Sequence, residues 1–180
     1  MRRRHLLAGA ILLMTATTAA GTARAVEPEN TLVIDLSTGG KVVIELFLDV
    51  APKHVARVKE LARAGFYDGI VFHRVIPGFM AQTGDPTGTG TGGSGKGNVM
   101  AEFNKKPFER GTVGAARTNN PNSADSQFFI CLAPAPHLNG QYTVWGQVIE
   151  GMDAVDQIAE GEPPANPTKM VKVRVGSDAS

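Results

Sequence analysis

The chain has 180 residues, 42% of them apolar and 19% charged, enough for a packed core and too apolar for a disordered chain. Its net charge of +1 is uneven: residues 1–25 hold four Arg and no acid, leaving 14 basic against 17 acidic side chains in the rest, net −3. A balance of that sign gives no general attraction for nucleic acid, and the single cysteine, Cys131, excludes an internal disulfide.

The chain opens with Arg2, Arg3 and Arg4, then nine apolar residues from Leu6 to Met14, then small residues ending in Ala23-Arg24-Ala25. That three-part layout predicts a secretory signal peptide over residues 1–25, cleaved after Ala25. Nine apolar residues are too few to cross a bilayer, which takes about 20, so no stable membrane anchor is expected. Arg3-Arg4 also fits a twin-arginine signal, and the basic start alone does not separate the export routes. Residues 26–180 are expected to form one domain.

After the leader, Thr31–Leu36 and Lys41–Phe47 are β-rich and flank a short turn, which predicts a hairpin. Ala51–Gly65 places Val55, Val58, Leu61 and Ala62 at helical spacing, with Asp49 as the expected cap, Pro52 in the first turn and Gly65 at the end. IVFHRVI and MAQTG read as strands, and Gly84–Gly97 as a long Gly/Thr loop. Val99–Phe103, Thr112–Ala116, Gln127–Leu132, Tyr142–Ile149 and Met170–Val175 continue the strand pattern, and Gly151–Ala159 reads as a short second helix. Many short strands in a domain of this size predict a closed barrel, which also removes edge strands.

Several motifs point nowhere. Gly88–Gly93 spells G-x-G-x-x-G, but no helix is expected after it. Gly90–Gly97 nearly matches a phosphate-binding loop, but Gly97 stands where the magnesium-binding hydroxyl belongs. His54, His73 and His137 show no metal-ligand spacing, and no metal or cofactor is expected. Cys131 lies in the apolar run FFICL and reads as a buried, inert thiol.

The stretch FHRVIPGFMAQTGD, Phe72 to Asp85, is different. It sets one guanidinium and one amide among Phe, Pro and Met. Such a site suits an apolar ligand that carries a strong amide, and an X-Pro bond fits. Its cis and trans forms are separated by about 18–20 kcal/mol because rotation breaks amide resonance. Lowering that barrier needs no nucleophile and no metal, only groups that bind the twisted amide better than the planar one. The twisted prolyl nitrogen becomes a lone-pair acceptor, and an arginine donor aimed at it gains a bond that the planar amide does not offer.

FHRVIPGFMAQTGDP, ARTNNPNSADSQFFI (Ala116 to Ile130) and VWGQVIEGMDAVDQI (Val144 to Ile158) together resemble the cyclophilin family of peptidyl-prolyl cis-trans isomerases, and the resemblance extends over about residues 30–175. It implies a mainly β fold, a closed eight-stranded antiparallel barrel capped by two α-helices. It makes Arg74 the catalytic guanidinium, with Gln82 binding the peptide carbonyl and supporting Arg74. It puts Phe79, Met80, Phe129 and Leu138 in the proline pocket, His73 in support beside Arg74, and the stretch Arg117 to Asn119, Thr118 included, in backbone bonds to the extended peptide. His137 and Tyr142 stand on the pocket rim, where many eukaryotic members carry Trp and His. Loss of the indole donor implies weak cyclosporin binding.

The combined expectation is an isomerase that accelerates X-Pro exchange during folding of exported proteins. It would be a periplasmic monomer acting on proline-containing unfolded or partly folded polypeptides. The alternative is a peptide-binding holdase chaperone that uses the same hollow with little or no turnover.

Overall fold

The computed structural model describes residues 25–178. The expected leader, apart from Ala25, lies outside the described residues. Among those described, no helix is long and apolar enough to cross a membrane.

Strands β1 (Thr31–Leu36) and β2 (Lys41–Leu46) form the expected antiparallel hairpin, with Leu32 opposite Ile44 and Ile34 opposite Val42. Period-two alternation along β2 buries Val42, Ile44 and Leu46. Helix α1 (Pro52–Arg63) follows and buries Val55, Val58, Leu61 and Ala62. Its C-terminus is closed by Gly65 at φ 67°, with Phe66 N–H donating to Leu61 C=O and Gly65 N–H to Ala62 C=O. This is the double-bonded Schellman stop that a left-handed glycine permits.

The start of α1 departs from expectation. Asp49 does not cap it, and Ala51 at the cap position makes no side-chain bond. Glu102, about fifty residues away in sequence, does the work. Its carboxylate accepts the Lys53 and His54 backbone N–H groups, each at 3.0 Å, and sits 2.7 Å from His54 Nδ1. The predicted strand Val99–Phe103 is thereby an anchoring loop, with a single bridge from Val99 to Ala124. Its polar end is committed to the helix rather than to a sheet.

The remaining strands are β3 (Arg74–Ile76), β4 (Met80–Thr83), β5 (Thr112–Ala115), β6 (Phe128–Cys131), β7 (Val144–Glu150) and β8 (Met170–Val175). Helix α2 is one turn, Met152–Val155, shorter than the expected Gly151–Ala159. The eight strands make one antiparallel sheet in the order β3-β4-β6-β5-β7-β2-β1-β8.

The sheet is an open, strongly curled half-barrel, which corrects the closed barrel expected from sequence. Its edges, β3 and β8, share no ladder. Only isolated bridges, Val71 with Lys169 and Val75 with Gly161, lie along the gap. The reason is local: β3 has three residues, and the segment facing it contains Pro163, Pro164 and Pro167, which lack the N–H that a ladder needs.

The main core lies on one face of the curl, beneath α1. Trp145, Tyr67, Phe72 and Phe128 are fully buried there with Leu32, Ile34, Ile44 and Met170. Tyr67 and Trp145 each meet Phe128 edge-on. Tyr67 donates its hydroxyl hydrogen to Ser126 C=O at 3.0 Å, so this buried phenol keeps a partner.

Candidate active site

Strand β6 serves two cores. Phe128 and Ile130 enter the main one, while Phe129 and Cys131 point to the opposite face. On that face they join Met80, Phe108, Leu138 and Val144, with Phe79 and Tyr142 packed alongside. The Cys131 thiol is fully buried and held protonated, its pKa pushed up to about 12 by burial, which is the inert state expected.

Register builds the site. Arg74 on β3 pairs with Gln82 on β4, Gln82 pairs with Phe129 on β6, and Phe129 pairs with Gly114 on β5. Directly paired residues project on the same face, so a guanidinium, an amide and an aromatic ring stand in one row. The row ends in a glycine for a steric reason: a Cβ at Gly114 would lie 2.6 Å from both Phe108 and Phe129. Those two rings stack with centroids 5.6 Å apart.

This row borders a cavity of about 120 Å³ lined by Arg74, Gln82, Phe79, Met80, Phe129, Leu138, Tyr142, Ala116 and Arg117. Seven of the residues expected from sequence thus meet at one hollow. The other four sit elsewhere. Thr118 lines the polar cavity next door, of about 240 Å³, which shares Gln82 and Arg117 with the first. His137 stands on the rim with its ring 5.4 Å from Phe79. Asn119 is exposed and borders neither hollow.

His73 is buried behind the site, close to Gly90. Neither ring nitrogen has a protein partner, and burial pushes its pKa down, with Asp85 opposing and Arg74 assisting. It is a neutral packing residue rather than a wall of the cavity.

Side-chain contacts, among them those of Gln127 and Glu162, which were not expected from sequence, hold the cleft in shape. Gln82 donates an amide hydrogen to Gln127 Oε1 at 2.9 Å, and Gln127 donates to the carbonyls of Gly90 and Gly92 at 3.0 and 2.9 Å. Alternation along the β6 run was the signal for Gln127, which shares the face of Phe129. Arg117 lays its guanidinium 4.2 Å over the Tyr142 ring and donates to the carbonyls of Thr118 and Gln141. Arg74 donates through Nε to Glu162 Oε1 at 2.7 Å, 88 positions away.

The Gly/Thr loop folds around one carboxylate. Asp85, 1% exposed, accepts backbone N–H groups from Thr87, Thr89, Gly90 and Gly92. Burial works against its charge, but these bonds and the Thr87 hydroxyl win and hold its pKa at about 2. The loop amides that a phosphate would need are therefore already occupied, and no helix follows Gly93.

Comparison with known proteins gives the family to which this fold belongs. Residues 33–176 match the family described as cyclophilin type peptidyl-prolyl cis-trans isomerase/CLD. The chain belongs to that family. It is 50% identical to a probable peptidyl-prolyl cis-trans isomerase of Brucella suis, over 97% of both chains. It is 44% identical to peptidyl-prolyl cis-trans isomerase B of Bacillus subtilis, over 71% of this chain and 89% of the other. Among solved structures, the Hirschia baltica cyclophilin AquaCyp293 superposes with a TM-score of 0.80 at 30% identity, covering 87% of this chain and 77% of that one. A Cryptosporidium parvum cyclophilin type isomerase, crystallised in the presence of the dipeptide Ala-Pro, gives 0.75 at 29% identity, over 81% and 98%. The row of Arg74, Gln82 and Phe129 therefore sits on a cyclophilin sheet.

Proposed function

We propose that this cyclophilin catalyses cis-trans isomerisation of X-Pro bonds by stabilising the twisted amide at the hollow beside Arg74. The observation that carries the reading is the register row of Arg74, Gln82 and Phe129 over an apolar cavity. Phe79, Met80, Phe129 and Leu138 take the prolyl ring. Gln82 spends one amide hydrogen on Gln127 and keeps the other for a peptide carbonyl. Arg74 keeps its Nη groups for the prolyl nitrogen, which accepts a hydrogen bond only once the amide has twisted. A bond to a charged donor is worth roughly 1.5–3 kcal/mol, or about 10- to 100-fold in rate. No covalent intermediate and no proton transfer is needed. His73, buried and neutral, acts as support for the β3 end of the site.

The substrates are proline-containing unfolded or partly folded chains, and the enzyme works as a monomer. Residues 1–25 direct export to the periplasm, supported by the basic start, the apolar run and the Ala23-Arg24-Ala25 site. N-terminal sequencing of protein recovered from that compartment is expected to begin at Val26, and a chain starting at Met1 would refute cleavage. The catalytic reading is tested by a protease-coupled proline isomerisation assay with Arg74→Ala, its fold checked by circular dichroism. Fast exchange by the wild type, lost in the folded variant, is expected. A well-folded wild type with no acceleration would leave a peptide-binding module.

A further inference from the structure

Arg74 does not stand free. Its Nε–H donates to Glu162 Oε1 at 2.7 Å, and the two side chains are 44% and 53% exposed. The carboxylate is held where it is by backbone bonds. Val75 N–H donates to Gly161 C=O at 2.8 Å, and Gly161 N–H returns the bond to Val75 C=O at 2.9 Å. The residues next to both partners are thus clamped together across the gap between the sheet edges. Glu162 belongs to the proline-rich segment that replaces a ladder at that gap, and it lines neither cavity of the cleft.

The planar guanidinium gives this contact a directional consequence. An acceptor on the Nε edge fixes the plane of the guanidinium, and Arg74 borders the hollow. From this geometry we infer that Glu162 is a positioning residue for the isomerisation. It holds Arg74 with the Nη edge toward the prolyl nitrogen, so that less freedom is lost when the amide twists. The inference rests on the proposed role of Arg74. Glu162 touches no substrate and acts only through the guanidinium.

A half-exposed ion pair contributes little to stability, roughly 0–1 kcal/mol. Misplacing a catalytic group by an ångström can cost about 100-fold. The effect of removing Glu162 therefore belongs in kcat rather than in folding. Glu162→Gln keeps an acceptor oxygen but not the charge and is expected to lower kcat about threefold. Glu162→Ala is expected to lower it about tenfold, with KM and melting temperature nearly unchanged. Added salt screens an exposed pair, so wild-type kcat falls with ionic strength while that of Glu162→Ala does not. Arg74→Lys has no Nε–H, and in that background Glu162→Gln costs nothing further.

The pairing has its own readout. The ¹⁵Nε–¹Hε resonance of Arg74 is expected to be sharp in the wild type and broadened by solvent exchange in Glu162→Ala. An active wild type with unchanged or faster turnover in both Glu162 variants overturns the inference and leaves the role of Arg74 intact. An equal loss on the Arg74→Lys background overturns it too, because Glu162 would then act by another route. A folded wild type without turnover removes both readings together.

Discussion

Strands β4 and β6 carry two regions that differ in what their neighbours demand. On one face Phe128 and Ile130 are enclosed by Trp145, Tyr67 and the apolar stripe of α1. On the other, one residue along, Phe129 and Met80 meet an open hollow with Arg74 and Gln82 at its edge. The same residue type therefore has different jobs on adjacent positions: Phe128 is sealed in the main core, while Phe129, packed on Phe108 in the smaller one, also lines the hollow. The difference teaches that the site is cheap to disarm at its half-exposed polar edge, Arg74, and costly to alter at its buried apolar walls, Met80 and Phe129.

The largest test of that division is Phe128→Ala. It removes a fully buried ring and is expected to cost about 3–5 kcal/mol in urea unfolding. Turnover per folded molecule should be retained, and an inactive but folded variant would show that the two faces are coupled. Next comes Arg74→Ala. Unfolding should change by less than about 0.5 kcal/mol, while kcat/KM falls about 10- to 100-fold.

Asp85→Asn sits between the regions. It removes the charge that gathers the loop amides and is expected to destabilise by about 1–2 kcal/mol, read as a lower melting temperature. The pH dependence has the matching sign. The folded pKa of Asp85 is about 2, below its ordinary 3.8, so its contribution is complete above 3.8 and is lost as pH falls toward 2. His54 and His73 act earlier. Burial lowers both pKa values from 6.5, so the unfolded chain takes up protons first and stability declines as pH drops below 6.5. Stability that holds flat from pH 7 to 4 would contradict burial of both rings as neutral imidazoles. The smallest effect is Gln127→Ala, which frees the Gln82 amide and is expected to lower kcat about threefold with no change in melting temperature. A tenfold rise in KM alone would instead assign Gln127 to substrate contact.

How legible all this was depends on how far apart in sequence the partners lie. The hairpin, α1 and the strand carrying Phe128 and Phe129 follow from local periodicity, and Arg74 and Gln82 stood out because charge and amide interrupt an apolar run. Glu102 and Glu162 did not stand out. One caps a helix start at Lys53 and His54, the other meets an arginine 88 residues away, and neither carries a local signature. The strand expected at Val99–Phe103 failed for the same reason, since Glu102 is recruited by α1. Barrel closure failed because it depends on whether β3 and β8 finally pair, which alternation within each strand does not encode. The prolines after Glu162 were visible, but nothing local to them says that they lie opposite β3.

The central claim is that the hollow beside Arg74 lowers a rotational barrier rather than simply holding a peptide. Exchange spectroscopy on an Ala-Pro peptide tests it most directly, with wild type and Arg74→Ala compared at saturating enzyme and the peptide Kd measured by titration of each. The account predicts that cis-trans exchange collapses in the variant while Kd stays within about threefold. Exchange that persists in Arg74→Ala, or falls only in proportion to lost affinity, would contradict it.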